Sequence, residues 1–310
     1  MVFHAGPGAK ASPTSHSYFS QRLRLHYLDW GNEHAPPLLL IHGNRDHCHN
    51  WDWVAERLRD DYHIIAPDLR GHGDSQWSTG STYSTVEYVY DIAQLVTQRQ
   101  LAPCRIVAHS LGGNVALKYA GVYPEHVEKL VVIEGYGPAP TPVDEELEPR
   151  EQLRQWITAG RALSGREPRR YRSLEEAYER MQEANQHLTP DQARHLTIHG
   201  SNQNEDGTYS WKFDNYTHVG TPYDMPLDVR AELWGNITCP VLLISGSESW
   251  AKRDEADVAA LTGHFRRAAS VRHELIERAG HWVHHDRLDY FVTLVGEFLA
   301  DDHQGSGRHC

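Results

Sequence analysis

Val107-Ala108-His109-Ser110-Leu111-Gly112-Gly113 joins a short apolar run, CRIVAH (104–109), to a helix-like segment, GNVALKYAGVY (113–123). A serine on a tight strand-to-helix turn is held clear of the sheet at the helix N-terminus. The residues two before and two after it must be small, because the turn leaves no room for side chains there. Ala108 and Gly112 meet that need, with alanine standing where glycine is usual. Such a serine suits nucleophilic attack on a carbonyl, provided a histidine takes its proton. The same spacing also fits an ordinary turn in which Ser110 merely caps the helix.

Two further segments complete that chemistry. Leu40-Ile41-His42-Gly43-Asn44 ends another apolar run, and an oxyanion needs two backbone N–H groups, one after the nucleophile and one from a nearby strand end. Leu111 and Asn44 are the candidate donors, and Gly43 allows close approach of backbone to substrate. Ala279-Gly280-His281-Trp282 follows the last predicted strand, so His281 falls in a loop at a strand end and after Ser110 in chain order. Among 22 histidines it is the location of His281 that recommends it as the base.

The elements needed to position these residues are visible as a βα rhythm. Leu23, Leu25 and Tyr27 alternate with polar residues, and PLLLIH (37–42) and YHIIAP (62–67) read as strands buried on both faces. Ser84-Thr85-Val86-Glu87 is a capping box, opening a helix predicted to present Val86, Val89, Tyr90, Ala93 and Val96 on one side. VEKLVVIE (127–134), CPVLLISG (239–246) and VRHELIE (271–277) supply later strands, with helices near 254–262 and 287–300. The expected class is therefore α/β, a mainly parallel sheet covered by helices on both sides. Residues 138–236 break the rhythm and read as a helical cap between core segments 21–137 and 237–302. An insertion there would roof the ligand crevice at the strand ends. Residues 1–20 and 303–310 read as loose tails.

Composition removes several classes. The 310 residues carry 30 Lys+Arg against 42 Asp+Glu, a formal charge of −12, which speaks against nucleic acid or an anionic membrane as partner. No apolar run approaches the ~18 residues of a membrane span. Cysteines at 48, 104, 239 and 310 form no CxxC pair, and with no secretory h-region at the start the expectation is a cytoplasmic chain.

HGN at 42–44, DLRGHGDS at 68–75, AHSLGG at 108–113 and AGHW at 279–282, in that order, resemble the α/β-hydrolase superfamily over about two-thirds of the chain. The likeness is greatest to the serine-hydrolase-like branch, with haloalkane dehalogenases and epoxide hydrolases as neighbours. Those neighbours have an aspartate nucleophile where this chain has Ser110, which argues against both activities and for acyl transfer to serine. The resemblance implies a third member, an acid that orients His281. In most of the superfamily it stands three residues after the glycine of the VLLISG strand, here Ser249, with Glu248 one residue early. Haloalkane dehalogenases often place it one strand earlier, which here is Glu134, and Glu134 is favoured over Glu248. In the resembling family the DLRGHGDS loop is structural.

The expected activity is hydrolysis of carboxylic esters of small to medium size through an acyl-enzyme on Ser110. Lactone opening or C–C bond hydrolysis by the same triad is the alternative, as is a non-catalytic small-molecule receptor on the same fold. His109, Trp211, Trp250 and Trp282 are candidates for the pocket wall, and Arg45 for binding a substrate carboxylate. No cofactor and no metal are expected. The cluster His47-Cys48-His49-Asn50-Trp51-Asp52 fails the HxHxDH metal pattern and reads as a pocket-shaping loop, His284-His285-Asp286 reads as a polar first turn of a helix, and no zinc-type spacing is read.

Overall fold

The computed structural model describes residues 12–80, 83–136, 148–219, 225–251 and 253–300. The expected loose ends at 1–11 and 303–310, and the start of the predicted cap at 138–147, lie outside the described residues.

In chain order the strands are β1 (Thr14–Ser20), β2 (Leu23–Asp29), β3 (Pro37–Ile41), β4 (His63–Pro67), β5 (Cys104–His109), β6 (Val127–Ile133), β7 (Ser201–Gln203), β8 (Tyr209–Trp211), β9 (Val241–Gly246) and β10 (Val271–Ile276). The α-helices are α1 (Asp52–Leu58), α2 (Thr85–Arg99), α3 (Leu111–Val122), α4 (Pro149–Leu163), α5 (Leu174–Ala184), α6 (Pro190–Gly200), α7 (Leu227–Trp234), α8 (Glu255–Gly263), α9 (Val283–Asp286) and α10 (Leu288–Ala300). The main sheet runs β1-β2-β4-β3-β5-β6-β9-β10. From β4 to β10 neighbouring strands are parallel, and β1 and β2 add an antiparallel edge.

Successive side chains of the central strands serve opposite faces, as period-2 geometry requires. Leu39 and Ile41 of β3 and Ile106 and Ala108 of β5 pack under α2 and α3, in one core cluster with Ile92, Leu95 and Ala116. Leu38, Leu40 and Val107 point the other way, against Val54 and Leu58 of α1 and Phe291, Val295 and Leu299 of α10. Burial on both faces explains the unbroken apolar runs of β3 and β4.

Three local expectations are corrected. Residues Thr14–Ser20 are not part of a tail but strand β1, paired in register with β2 from Thr14↔Asp29 to Ser20↔Leu23. As an edge strand it exposes most of its side chains, so TSHSYFS shows no apolar stripe. Helix α2 has its predicted capping box, but it buries Tyr88, Asp91, Ile92, Leu95 and Val96, while Val86 and Tyr90 are exposed. The inward stripe is hidden in the sequence because a carboxylate occupies it. Asp91 takes a two-pronged ion pair from the buried Arg70 guanidinium, Nε to Oδ2 at 2.6 Å and Nη2 to Oδ1 at 2.7 Å, and Ser20 Oγ also donates to it. Thirdly, His284 and His285 of α9 are buried, His284 stacked on Trp51 and beside His109 and Phe291, His285 edge-on to Trp53, so this is no polar surface turn.

The segment between β6 and β9 holds α4 to α7 and the small antiparallel pair β7–β8. It is thus not purely helical. Its own apolar nucleus (Leu188, Ala193, Leu196) packs on Trp53 of α1. Polar contacts attach it to loops that follow the sheet strands: His47 Nε2 to the Leu196 carbonyl at 3.0 Å, Tyr83 donating to Asp214 at 2.7 Å, and Lys212 to Asp74 at 2.8 Å.

Removing Asp91 strands a buried guanidinium with only Glu87 Oε1, at 2.9 Å, to balance it. Asp91→Ala should therefore lower unfolding stability in urea by about 3–5 kcal/mol. Asp289→Ala, which breaks an exposed pair with Arg57, should shift it by less than about 1 kcal/mol.

Candidate active site

Ser110 sits between β5 and α3 with φ 50° and ψ −116°, a conformation an L-residue adopts only under constraint. The constraint is visible: its N–H donates to the Ile133 carbonyl at 2.8 Å, and its own carbonyl accepts from Asn114 N–H at 3.0 Å. Its side chain makes no capping bond to the helix, so the simple capping role is not the one it plays. A Cβ added at Gly112 would lie 2.5 Å from the Ile41 and His42 carbonyl oxygens. The turn carrying the serine therefore lies with its backbone directly on the β3 end. One added at Gly43 would lie 2.7 Å from His109 Nδ1 and 3.2 Å from Ser110 Cβ.

Asn44 and Leu111 occupy the two turns thus pressed together. Leu111 opens α3, where N–H groups have no intrahelical acceptor. The Asn44 side chain is held by His72 at 3.1 Å. Burial, then neighbouring His42, pushes the His72 pKa down to about 3, so the ring is neutral. Its Nδ1 faces the Arg70 carbonyl at 2.9 Å and its Nε2 faces Asn44 Oδ1, and the single N–H of the neutral ring serves one of these two oxygens. His42 braces the same turn, with Nδ1–H on the Gly43 carbonyl and Nε2 accepting from Leu69 N–H at 3.0 Å.

The imidazole of His281 has its Nδ1 3.7 Å from Glu134 Oε2, longer than a hydrogen bond, and that nitrogen is buried with no other partner. Glu134 is buried and follows β6 with φ 53°. Its carboxylate is fixed by Gly246 N–H on Oε1 at 2.8 Å and by the Ser249 hydroxyl on Oε2 at 2.9 Å. Glu248 is exposed instead, with its carboxylate 3.6 Å from His187 of the insertion. Of the two candidate acids, the fold brings Glu134 to the imidazole.

The DLRGHGDS loop is a polar anchor below the site. Asp68 accepts from His26 Nδ1 at 2.7 Å, Cys48 N–H at 2.7 Å and Asp74 N–H at 2.9 Å. Burial alone would raise its pKa, but the His26 hydrogen bond and charge hold the carboxylate below its ordinary range.

The pocket candidates separate. Arg45, Trp211 and Trp282 line a cavity of about 530 Å³ that also reaches Asn44. Trp250 and Trp282, with His281 and Glu248, line a smaller one of about 200 Å³. Trp250 is 72% exposed, its ring 5.1 Å from that of His281. His109 departs from expectation. It is buried, its Nε2 2.9 Å from the His281 carbonyl, and it positions the histidine loop from behind. Sequence reading misses Arg169, Arg180 and His218 on the larger cavity, since nothing in the insertion's spacing says which side chains face inward. Arg45 Nη2 donates to His218 Nδ1 at 2.7 Å, and among the described residues no carboxylate pairs with Arg45. Among the described residues the only acid on that wall, Asp46, is buried and raised by desolvation to about 7.

Six buried imidazoles surround this region, and burial lowers all of their pKa values: His42, His47, His72, His109, His284 and His285. Unfolded, they titrate near ~6.5. Below that pH the unfolded chain takes up protons that the native one refuses, so stability is full above about 6.5 and falls continuously toward about 3. The raised carboxyls of Asp46, Asp91 and Asp286 oppose this but are outnumbered by the six rings. The urea midpoint should be level from pH 8 to 7 and drop steeply from pH 6.5 to 5. A flat profile over that lower range would contradict neutral burial of these rings.

Residues 36–288 match the family model described as alpha/beta hydrolase fold. A serine hydrolase-like protein of Danio rerio is 28% identical over 225 residues, 72% of this chain and 68% of that protein. Esterase Rv0045c of Mycobacterium tuberculosis is 27% identical over 272 residues, 86% of this chain and 84% of that one. Among solved structures, the thioesterase domain from the curacin biosynthetic pathway superposes with a TM-score of 0.79 at 23% identity, over 92% of this chain and 99% of that one. With this match over most of its length and a serine at the strand-to-helix turn, the chain belongs to the α/β-hydrolase superfamily, in its serine-hydrolase-like branch.

Proposed function

We propose that this hydrolase cleaves carboxylic esters through an acyl-enzyme on Ser110. The observation that carries the reading is the constrained Ser110 turn, whose side chain caps nothing, joined through His109 to the loop of His281, whose Nδ1 faces a buried carboxylate at 3.7 Å. His281 takes the hydroxyl proton through Nε2, the nitrogen turned from Glu134, as Ser110 Oγ attacks the carbonyl. Glu134 holds the ring tautomer and balances the imidazolium, and the Asn44 and Leu111 N–H groups receive the oxyanion. The imidazolium returns the proton to the departing alkoxide, and water then releases the acyl group by the same path. Support comes also from the esterase and thioesterase names of the relatives.

The substrate we infer carries an anionic group. Arg45, Arg169, Arg180 and His218 edge the larger cavity, and among the described residues no carboxylate pairs with Arg45. All four are exposed, so they attract and orient an anion at the rim more than they grip it in a dry pocket. This observation also favours the second reading, C–C bond hydrolysis of an unsaturated acid by the same triad. We assign the work to the cytoplasm, since Cys48, Cys104 and Cys239 are free and buried. Among the described residues, no helix is long and apolar enough to cross a membrane.

Turnover of p-nitrophenyl esters should fall by roughly a thousandfold or more in Ser110→Ala, with the melting temperature within a few degrees of wild type. Glu134→Gln should lose about a hundredfold or more in kcat, and Glu248→Gln less than about threefold. The reverse ranking would transfer the acid to the β9 loop. With a hemisuccinate ester, Arg45→Ala should raise KM by about five- to tenfold at low salt, and the difference should shrink at high salt. Equal KM effects on neutral and anionic esters would overturn the anionic preference.

A further inference from the structure

Away from Ser110, four side chains from two distant stretches of chain meet. His49 and Asp52 come from the core, at the start of α1. His195 and His199 stand one turn apart on α6 of the insertion. One ligand atom from each lies within 4.8 Å of all the others. Asp52 Oδ2 is 2.9 Å from His49 Nδ1 and 3.0 Å from His195 Nε2. The His49 and His199 rings stack at 3.8 Å, and those of His195 and His199 are 4.5 Å apart. The second carboxylate oxygen, Asp52 Oδ1, is buried with no hydrogen-bond partner.

Packing three imidazoles around one carboxylate is a poor arrangement for protons, because a second or third charged ring would repel the first. It is a good one for a cation that accepts several neutral nitrogen ligands.

We propose that His49, Asp52, His195 and His199 bind one divalent first-row transition ion, zinc fitting best, and that the ion ties the insertion to the core. Three nitrogens and one oxygen suit zinc, whose tetrahedral bonds of ~2.0–2.1 Å place ligand atoms about 3.4 Å apart. The four atoms lie within 4.8 Å of one another, so binding draws them in to that spacing. With four protein ligands the shell is closed, which makes the site structural, with no open position for an activated water. Magnesium and calcium are poor fits, since they require six or more oxygens. The other candidate cluster, His26, Cys48 and Asp68, is already satisfied by hydrogen bonds to Asp68, and burial raises its thiol well above the ordinary range. Leu196, on the same helix as His195 and His199, lines the larger cavity, so the ion would fix one wall of the chamber.

The test uses the full chain without an affinity tag, stripped by chelator and titrated with zinc chloride by calorimetry and thermal scanning. One zinc per chain should bind, with the melting temperature raised by several degrees, and magnesium chloride should give no shift. His195→Gln/His199→Gln should weaken zinc binding by roughly a hundredfold or more and abolish the shift. His49→Gln, on the core side, should do the same, and it decides the matter if the double variant does not fold. Absence of stoichiometric binding, or unchanged binding in either variant, would overturn the site and leave Asp52 as a carboxylate shared by hydrogen bonds alone.

Discussion

Backbone lying directly on backbone at the C-terminal edge of the sheet is the constraint on which the site depends. Gly112 rests on the Ile41 and His42 carbonyls, and Gly113 and Gly135 meet at their Cα atoms. These contacts bring the ends of β3, β5 and β6 closer together than side chains would permit. The same proximity collects Asn44, Ser110, Leu111 and Glu134 from three separate strands. Ser110 and Glu134 both sit at positive φ, so the two turns store strain that the surrounding sheet holds in place.

Around this edge the polar groups are arranged in a chain of support. His42 braces Gly43, His72 braces Asn44, His109 holds the His281 carbonyl, and Asp68 collects the loop behind them. None needs to touch substrate for its loss to be felt, because each fixes the backbone that does. The cluster of low-pKa imidazoles is the electrostatic consequence of burying so many of these braces.

Much of this order was legible in the sequence, and the failures have physical reasons. The unbroken runs of β3 and β4 betray strands buried on both faces, and the Ser84–Glu87 box betrays a helix start, because both signals are local. The turn at Ser110 is legible for the same reason. The inward face of α2 was not, since Asp91 sits on it and only the distant Arg70 explains why. Its place beside Ser110 points His109 to the cavity wall, whereas strand alternation sends its side chain to the other side. The rim arginines and the pairing of α6 with α1 depend on how the insertion folds back, and no residue spacing encodes that path. The i,i+4 pair His195 and His199 is present in the sequence, but it acquires meaning only beside Asp52.

The hydroxyl that Ser249 gives to Glu134 joins the two places, after β9 and after β6, at which the family resemblance allows an acid. One station, after β9, is occupied by a neutral donor, and the other, after β6, by the charge it serves. Two carboxylates at that separation would repel strongly in a buried setting, and one would be forced to keep its proton. The serine turns a site of potential charge conflict into a brace that holds the β9 loop against the β6 end.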